Sequence, residues 1–162
     1  MSVSTESKLK SLKLEADSYK KLEYYSKAEK IILKGLELKP EDNMFNHELA
    51  KIYFKKEKYD ASLQILLTLT KKIKRRQILF KDIAMCYYKM NKLAESLEAV
   101  QVSLSENPDN ISSLYVEGLI HKELGNFKES FSSFKKLLSI DSDNRDALYQ
   151  VGKLNHQKGQ YR

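Results

Sequence analysis

The chain has 162 residues, and its Lys and Arg outnumber its Asp and Glu by 29 to 22. That length suits one domain or one repeat array with a continuous core, and two prolines among residues rich in Leu, Lys, Glu, Ser and Ala argue against an all-β fold. A single cysteine, Cys86, excludes an internal disulfide. The opening MSVSTESKLK lacks the apolar stretch of a signal peptide, and no apolar run approaches the roughly 20 residues of a membrane span. The expectation is a soluble cytoplasmic or nuclear chain.

Taken in order, the elements fall into blocks of 34 residues. The first, 9–42, carries Ala16, Tyr19, Tyr25, Ala28, Ile32 and Pro40, with Ser26-x-x-Glu29 resembling a capping box. The second, 43–76, has apolar residues at helical spacing over 44–56 and 60–72, with Ala50, Tyr53, Tyr59, Ser62 and Leu66 in the same columns and Asp60 as a candidate cap. The third, 77–110, predicts helices at 78–90 and 94–106 and places Ala84, Tyr87, Leu93, Ser96, Val100 and Pro108. The fourth, 111–144, predicts helices at 112–124 and 128–140 and places Gly118, His121, Phe127, Ser130 and Phe134. Residues 145–162 continue with Gly152, Asn155 and Tyr161 behind the candidate cap Asn144. This last segment keeps one apolar stripe on an otherwise polar helix, as a capping helix or half repeat does, while Gln160-Tyr161-Arg162 begins the turn of a further repeat. The chain therefore reads either as ending on its cap or as a piece of a longer array.

Each block is a helix pair whose apolar stripe no single pair can bury. Small residues in one column face bulky ones in another, as close packing between helices requires, so the pairs must stack. The expected fold is all-α: one array of stacked antiparallel helix pairs over 1–162, forming a right-handed superhelix, an α-solenoid. On the 34-residue period, the Ala16/Ala50/Ala84/Gly118/Gly152 column, the turn aromatics Tyr25/Tyr59/Phe127, Ala28 with its equivalents, and Pro40 and Pro108, residues 9–162 resemble the tetratricopeptide repeat (TPR) family. Lys74 and Ser142 depart from its proline, and Glu15 and Glu117 stand where it usually has an aliphatic residue. Less regular packing is expected in the first and fourth repeats.

The resemblance implies a groove lined by the first helix of each pair, taking a peptide or a partner surface. By column, that groove would hold Met44, His47, Lys51, Phe54 and Lys55, then Ile78, Lys81, Met85, Tyr88 and Lys89. Ser112, Tyr115, Leu119 and Lys122 would follow, with Asp146, Tyr149, Lys153 and His156 closing it. Met, aromatic rings and lysines suit a partner with apolar anchors and acidic groups. One TPR subfamily clamps the carboxylate tail of heat-shock chaperones with lysines, asparagines and an arginine. Where asparagine is needed this chain has Asp17, Glu48, Asp82 and Val116, so a chaperone-tail partner is disfavoured.

Chemistry-bearing patterns are sparse. His47, His121 and His156 lie in different repeats without a second His or Cys at ligand spacing, so no metal is expected; His121, in the Tyr19/Tyr53 column, reads as a packed residue. Cys86 beside Tyr87 reads as a buried thiol with no evident base. The glycines Gly118/Gly125 and Gly152/Gly159 repeat at the period and mark packing and turns, and no phosphate-loop pattern occurs. The expectation is a non-catalytic scaffold or adaptor with no cofactor. The positive charge concentrates in 43–76, where nine Lys and Arg meet three Asp and Glu, and five of those cations form the run Lys71, Lys72, Lys74, Arg75 and Arg76. That run admits three readings: helix-end cations matching the macrodipole, a nuclear-localisation signal, or contact with phosphate of nucleic acid or an acidic surface.

Overall fold

The computed structural model describes residues 4–73 and 77–160, with side chains to residue 156. Among the described residues there are nine helices and no strand: α1 (Thr5–Lys21), α2 (Tyr25–Leu38), α3 (Asn43–Lys55), α4 (Tyr59–Thr70), α5 (Gln77–Lys89), α6 (Leu93–Glu106), α7 (Ile111–Glu123), α8 (Phe127–Ile140) and α9 (Arg145–Gln160). They divide into two compact units, residues 1–74 and 75–162. The first holds the pairs α1–α2 and α3–α4; the second holds α5–α6, α7–α8 and α9. The all-α class and the consecutive helix pairs agree with the sequence reading.

Three-residue turns join the helices of each pair, and their geometry recurs at the repeat period. Glu23, Glu57, Asn91 and Gly125 all take left-handed conformations, with φ of 59°, 59°, 58° and 77°. The following N–H in each turn donates to the carbonyl five residues back, at 2.8–2.9 Å, from Tyr24 to Tyr19, Lys58 to Tyr53, Lys92 to Tyr87 and Asn126 to His121. This closes the helix end by reaching an otherwise unpaired carbonyl. Such a tight turn also explains two corrections. The helices after it begin at Tyr25 and Tyr59, behind Tyr24 and Lys58, whose side chains make no cap bond. Ser26 and Asp60 therefore lie inside the first turn and do not cap.

Side-chain caps sit instead between pairs. Asp42 accepts from the Met44 and Phe45 N–H groups at 3.0 and 3.1 Å, Asn110 from Ser113 at 2.9 Å and Asn144 from Ala147 at 3.1 Å. Burial alone would raise the Asp42 carboxyl, but the Phe45 N–H, the Lys39 ammonium and the Met44 N–H hold it below its ordinary value.

In the first unit Leu9, Ala16, Ala28, Ile31, Ile32, Phe45, Leu49 and Ile52 form one apolar cluster. In the second, Leu114, Phe134, Leu137, Ala147 and Leu154 do so. Each large side chain so removed from water stabilises its unit by roughly 1.5–3 kcal/mol. Small residues permit this approach. Gly118 abuts the Phe134 ring, whose Cζ would lie 2.6 Å from an added Cβ, and Gly35 abuts Phe45 still more tightly. Within pairs, buried hydroxyls bridge the helices: Ser62 donates to the Ala50 carbonyl at 2.8 Å, Ser96 to Ala84 at 2.7 Å and Ser130 to Gly118 at 2.7 Å. The expected irregularities are accommodated locally, since Glu15 is exposed and Glu117 accepts from Ser133 Oγ at 2.8 Å.

Candidate functional site

Helices α1 and α3 of the first unit, and α5, α7 and α9 of the second, carry the residues expected to meet a partner. On α3, Met44 is 43% exposed, Lys51 and Lys55 are exposed and His47 is half-buried. Phe54 is half-buried and meets the Tyr59 ring edge-on, with centroids 5.3 Å apart. Here two lysines are already engaged. Lys20 on α1 pairs with Asp17 at 2.7 Å and with Glu48 on α3, and Glu48 also holds Lys51 at 2.9 Å. Burial works against both charges, yet the Asp17 and Glu48 carboxylates raise the Lys20 pKa above its ordinary value. The two lysines in turn lower that of Glu48.

Nearby, Lys56 pairs with Glu29 of α2 at 2.6 Å. The Tyr53 hydroxyl donates to Glu29 as well, and its pKa rises, first through burial and then through the Glu29 charge and hydrogen bond.

In the second unit Ile78 is 55% and Tyr149 60% exposed. Lys89 and Lys153 are exposed, while Lys81, Met85, Tyr88, Tyr115, Leu119 and Lys122 are half-buried. Lys81 is ion-paired with Asp82. The Tyr88 hydroxyl on α5 donates to Glu123 Oε1 on α7 at 3.2 Å. Burial, the Glu123 carboxylate and Tyr115 push this phenol up to about 12, so it stays a donor throughout ordinary pH. Lys122 on α7 donates to Gln150 Oε1 on α9 at 3.0 Å. The Lys153 ammonium stands 4.8 Å from the centre of the Tyr149 ring, within cation–π range. Tyr115 has a second duty that its column did not reveal, because its ring packs on Phe134 with centroids 5.7 Å apart.

Of the other side chains singled out from sequence, Ser112, Asp146 and His156 are exposed. Cys86 is a buried thiol outside any disulfide, and the Nδ1 of half-buried His121 has no hydrogen-bond partner among the described residues. Among those residues no three His, Cys, Asp or Glu gather as a metal site, and no helix is long and apolar enough to cross a membrane. In the basic run, Lys71 caps the end of α4 and Lys72 pairs with Glu41. Lys74, Arg75 and Arg76 lie outside the described residues.

The polar links between first helices could not be found from single positions. Their signal is a pair of columns: Lys20 and Lys122 share one, and their partners Glu48 and Gln150 share another, each pair 28 residues apart.

Helix pairs recurring at a fixed period, closed by the same left-handed turn, define a helical repeat protein. Residues 11–42 and 111–144 match the tetratricopeptide repeat model, and these stretches, one in each unit, are tetratricopeptide repeats. No curated protein matches the chain. Among solved structures it is similar to a crystal structure of MamA, at 16% identity and TM-score 0.73, covering 89% of this chain and 84% of that one. MamA from Desulfovibrio magneticus RS-1, residue 41 to the end, gives 18% identity and TM-score 0.73 over 85% and 77% of the two chains. The first TPR of Spaghetti (RPAP3) bound to the HSP90 peptide SRMEEVD gives 17% identity and TM-score 0.68 over 72% and 93%. Identities this low show a shared fold.

Proposed function

We infer that the chain is a non-catalytic interaction scaffold whose units each hold a peptide or protein surface on the first helices of their helix pairs. The observation that carries this reading is the exposure of Met44, Ile78 and Tyr149 on α3, α5 and α9, with lysines beside them. Large apolar groups left in water among cations suit a partner that brings apolar anchors and acidic groups. A TPR of the same fold that holds an HSP90 peptide supports the mode of binding. The chaperone tail itself remains disfavoured, since Glu48 and Asp82 stand where its clamp would need neutral amides, and an ionised carboxylate has no N–H to donate to a terminal carboxylate. The reading places the protein in the cytoplasm or nucleus. Lys71, at the C-cap of α4, suits a helix-end role for the start of the basic run.

The test is capture of partners from extract by the full chain, followed by Ile78→Ala with Tyr149→Ala. Both side chains are exposed, so helicity should be kept while the partner is lost. Retention of every partner by a folded double variant would refute the assignment of the face.

A further inference from the structure

We propose that Lys122 is the acid-recognising cation of this protein, taking an Asp or Glu side chain of a bound peptide between α7 and α9. The proposal rests on the interaction-face reading above and makes it specific. Lys20 and Lys122 occupy the same column three periods apart, and each reaches the next first helix through the same partner column. Their partners differ in charge. Lys20 meets two carboxylates, Asp17 and Glu48, and Glu48 is itself shared with Lys51. Lys122 meets the neutral amide oxygen of Gln150, at 3.0 Å, and among the described residues it forms no ion pair.

The consequence follows from the chemistry of an ammonium. It has three N–H donors and a full charge. At Lys20 two carboxylates take two of the donors and answer the charge within the fold. Gln150, itself only 9% exposed, fixes the position of the Lys122 Nζ and uses one donor while leaving the charge in place. A half-buried cation held in this way favours an incoming carboxylate more than a mobile surface lysine does. Its geometry is set beforehand, and solvent screens it less. The nearby carboxylate that could have competed, Glu123, accepts the Tyr88 hydroxyl. On α9 the exposed Tyr149 ring with Lys153 over it provides an apolar anchor point and a second cation. The occupant is therefore an acidic peptide with an aromatic or aliphatic residue near its carboxylate.

The probe is a peptide selected on the full chain from a random twelve-residue display library, then synthesised and titrated by fluorescence anisotropy. Selected peptides should carry an Asp or Glu beside an apolar residue. Lys122→Gln should weaken them about tenfold or more, whereas Lys122→Arg should stay within about threefold, and Lys135→Gln on the exposed face of α8 within about twofold. Replacing the peptide's acid by its amide should cost the same factor on the unaltered protein and almost nothing on Lys122→Gln, because the two changes remove one interaction. Peptides lost on Tyr149→Ala but indifferent to Lys122→Gln would overturn the assignment of Lys122 and leave the interaction face standing. Peptides indifferent to Lys122, Ile78 and Tyr149 alike, or no enrichment at all, would overturn both.

Discussion

Gly118 and Gly152 lie one period apart in the same column, yet alanine at the two positions should act with opposite sign. Replacing glycine by alanine within a helix contributes about 1 kcal/mol, through backbone entropy lost from the unfolded chain. At Gly152 a Cβ would meet nothing within 4 Å, so Gly152→Ala should keep that gain. At Gly118 the Cβ would fall 2.6 Å from Cζ of Phe134, a ring with no exposed surface. Such overlap forces a ring packed on both sides to shift, at a cost of roughly 1–3 kcal/mol. Gly118→Ala should therefore destabilise by about 1 kcal/mol net, which for a chain of this size lowers the melting temperature by roughly 2–4 °C. Urea melts followed by circular dichroism measure both variants. The decisive arm is the double variant Gly118→Ala with Phe134→Leu: shrinking the ring removes the overlap, so the added methyl should cost less there than alone. Reasoning from this contact fails should Gly118→Ala stabilise the chain, or should its cost be unchanged by Phe134→Leu.

The same turn and helix contacts give further expectations. Glu57→Gly should stabilise by about 0.5–1 kcal/mol, since a side chain is held at φ 59° against a left-handed penalty of about 1–2 kcal/mol; Gly125→Ala, at φ 77°, should destabilise by a similar amount, both read from urea midpoints. Ser96→Ala removes the 2.7 Å bond to the Ala84 carbonyl and should cost about 0.5–1.5 kcal/mol, seen as faster amide exchange in α5 and α6. Glu48 has its pKa lowered from 4.5 in the fold, so its contribution is present above that value and is lost as pH falls through the folded pKa. Glu48→Gln should accordingly cost about 1–2 kcal/mol at pH 7 and flatten the acid limb of an unfolding-against-pH series.

The architecture was legible because the period is a property of packing. Each column of small residues exists where a neighbouring helix approaches closely, so Ala50, Ala84 and Gly118 declare the fold before any contact is known. The caps between pairs were legible at Asn144, where an amide precedes an apolar pattern. Within pairs the capping signals at Ser26 and Asp60 mislead, because a capping sequence says nothing about how the preceding helix ends. Here a left-handed residue ends it, and the chain re-enters the helix before the hydroxyl or carboxylate can reach an N–H. At Gly125 and Asn91 the residue type advertises that conformation; Glu23 and Glu57 adopt it against their preference, held by the same five-residue backbone bond.

The proposed binding face is legible as a set of columns and illegible as chemistry. Lysine in a helix usually lies in water, and a column of Lys20, Phe54, Tyr88 and Lys122 carries no charge pattern by itself. What gives each lysine its character is the residue 28 positions later, a spacing that joins α1 to α3 and α7 to α9. Across that spacing, Glu48 turns Lys20 into a structural tie between α1 and α3, while Gln150 fixes Lys122 without neutralising it. Substitution at the partner column should therefore change what the lysine does. Gln150→Glu would turn the Lys122 contact into the kind of pair made at Lys20, with a charge of its own beside the ammonium. It should strengthen the tie between α7 and α9 and, by satisfying Lys122 internally, weaken a selected acidic peptide about as much as Lys122→Gln does. Retained affinity in a stabilised Gln150→Glu variant would show that the ammonium's unanswered charge is not what the peptide recognises.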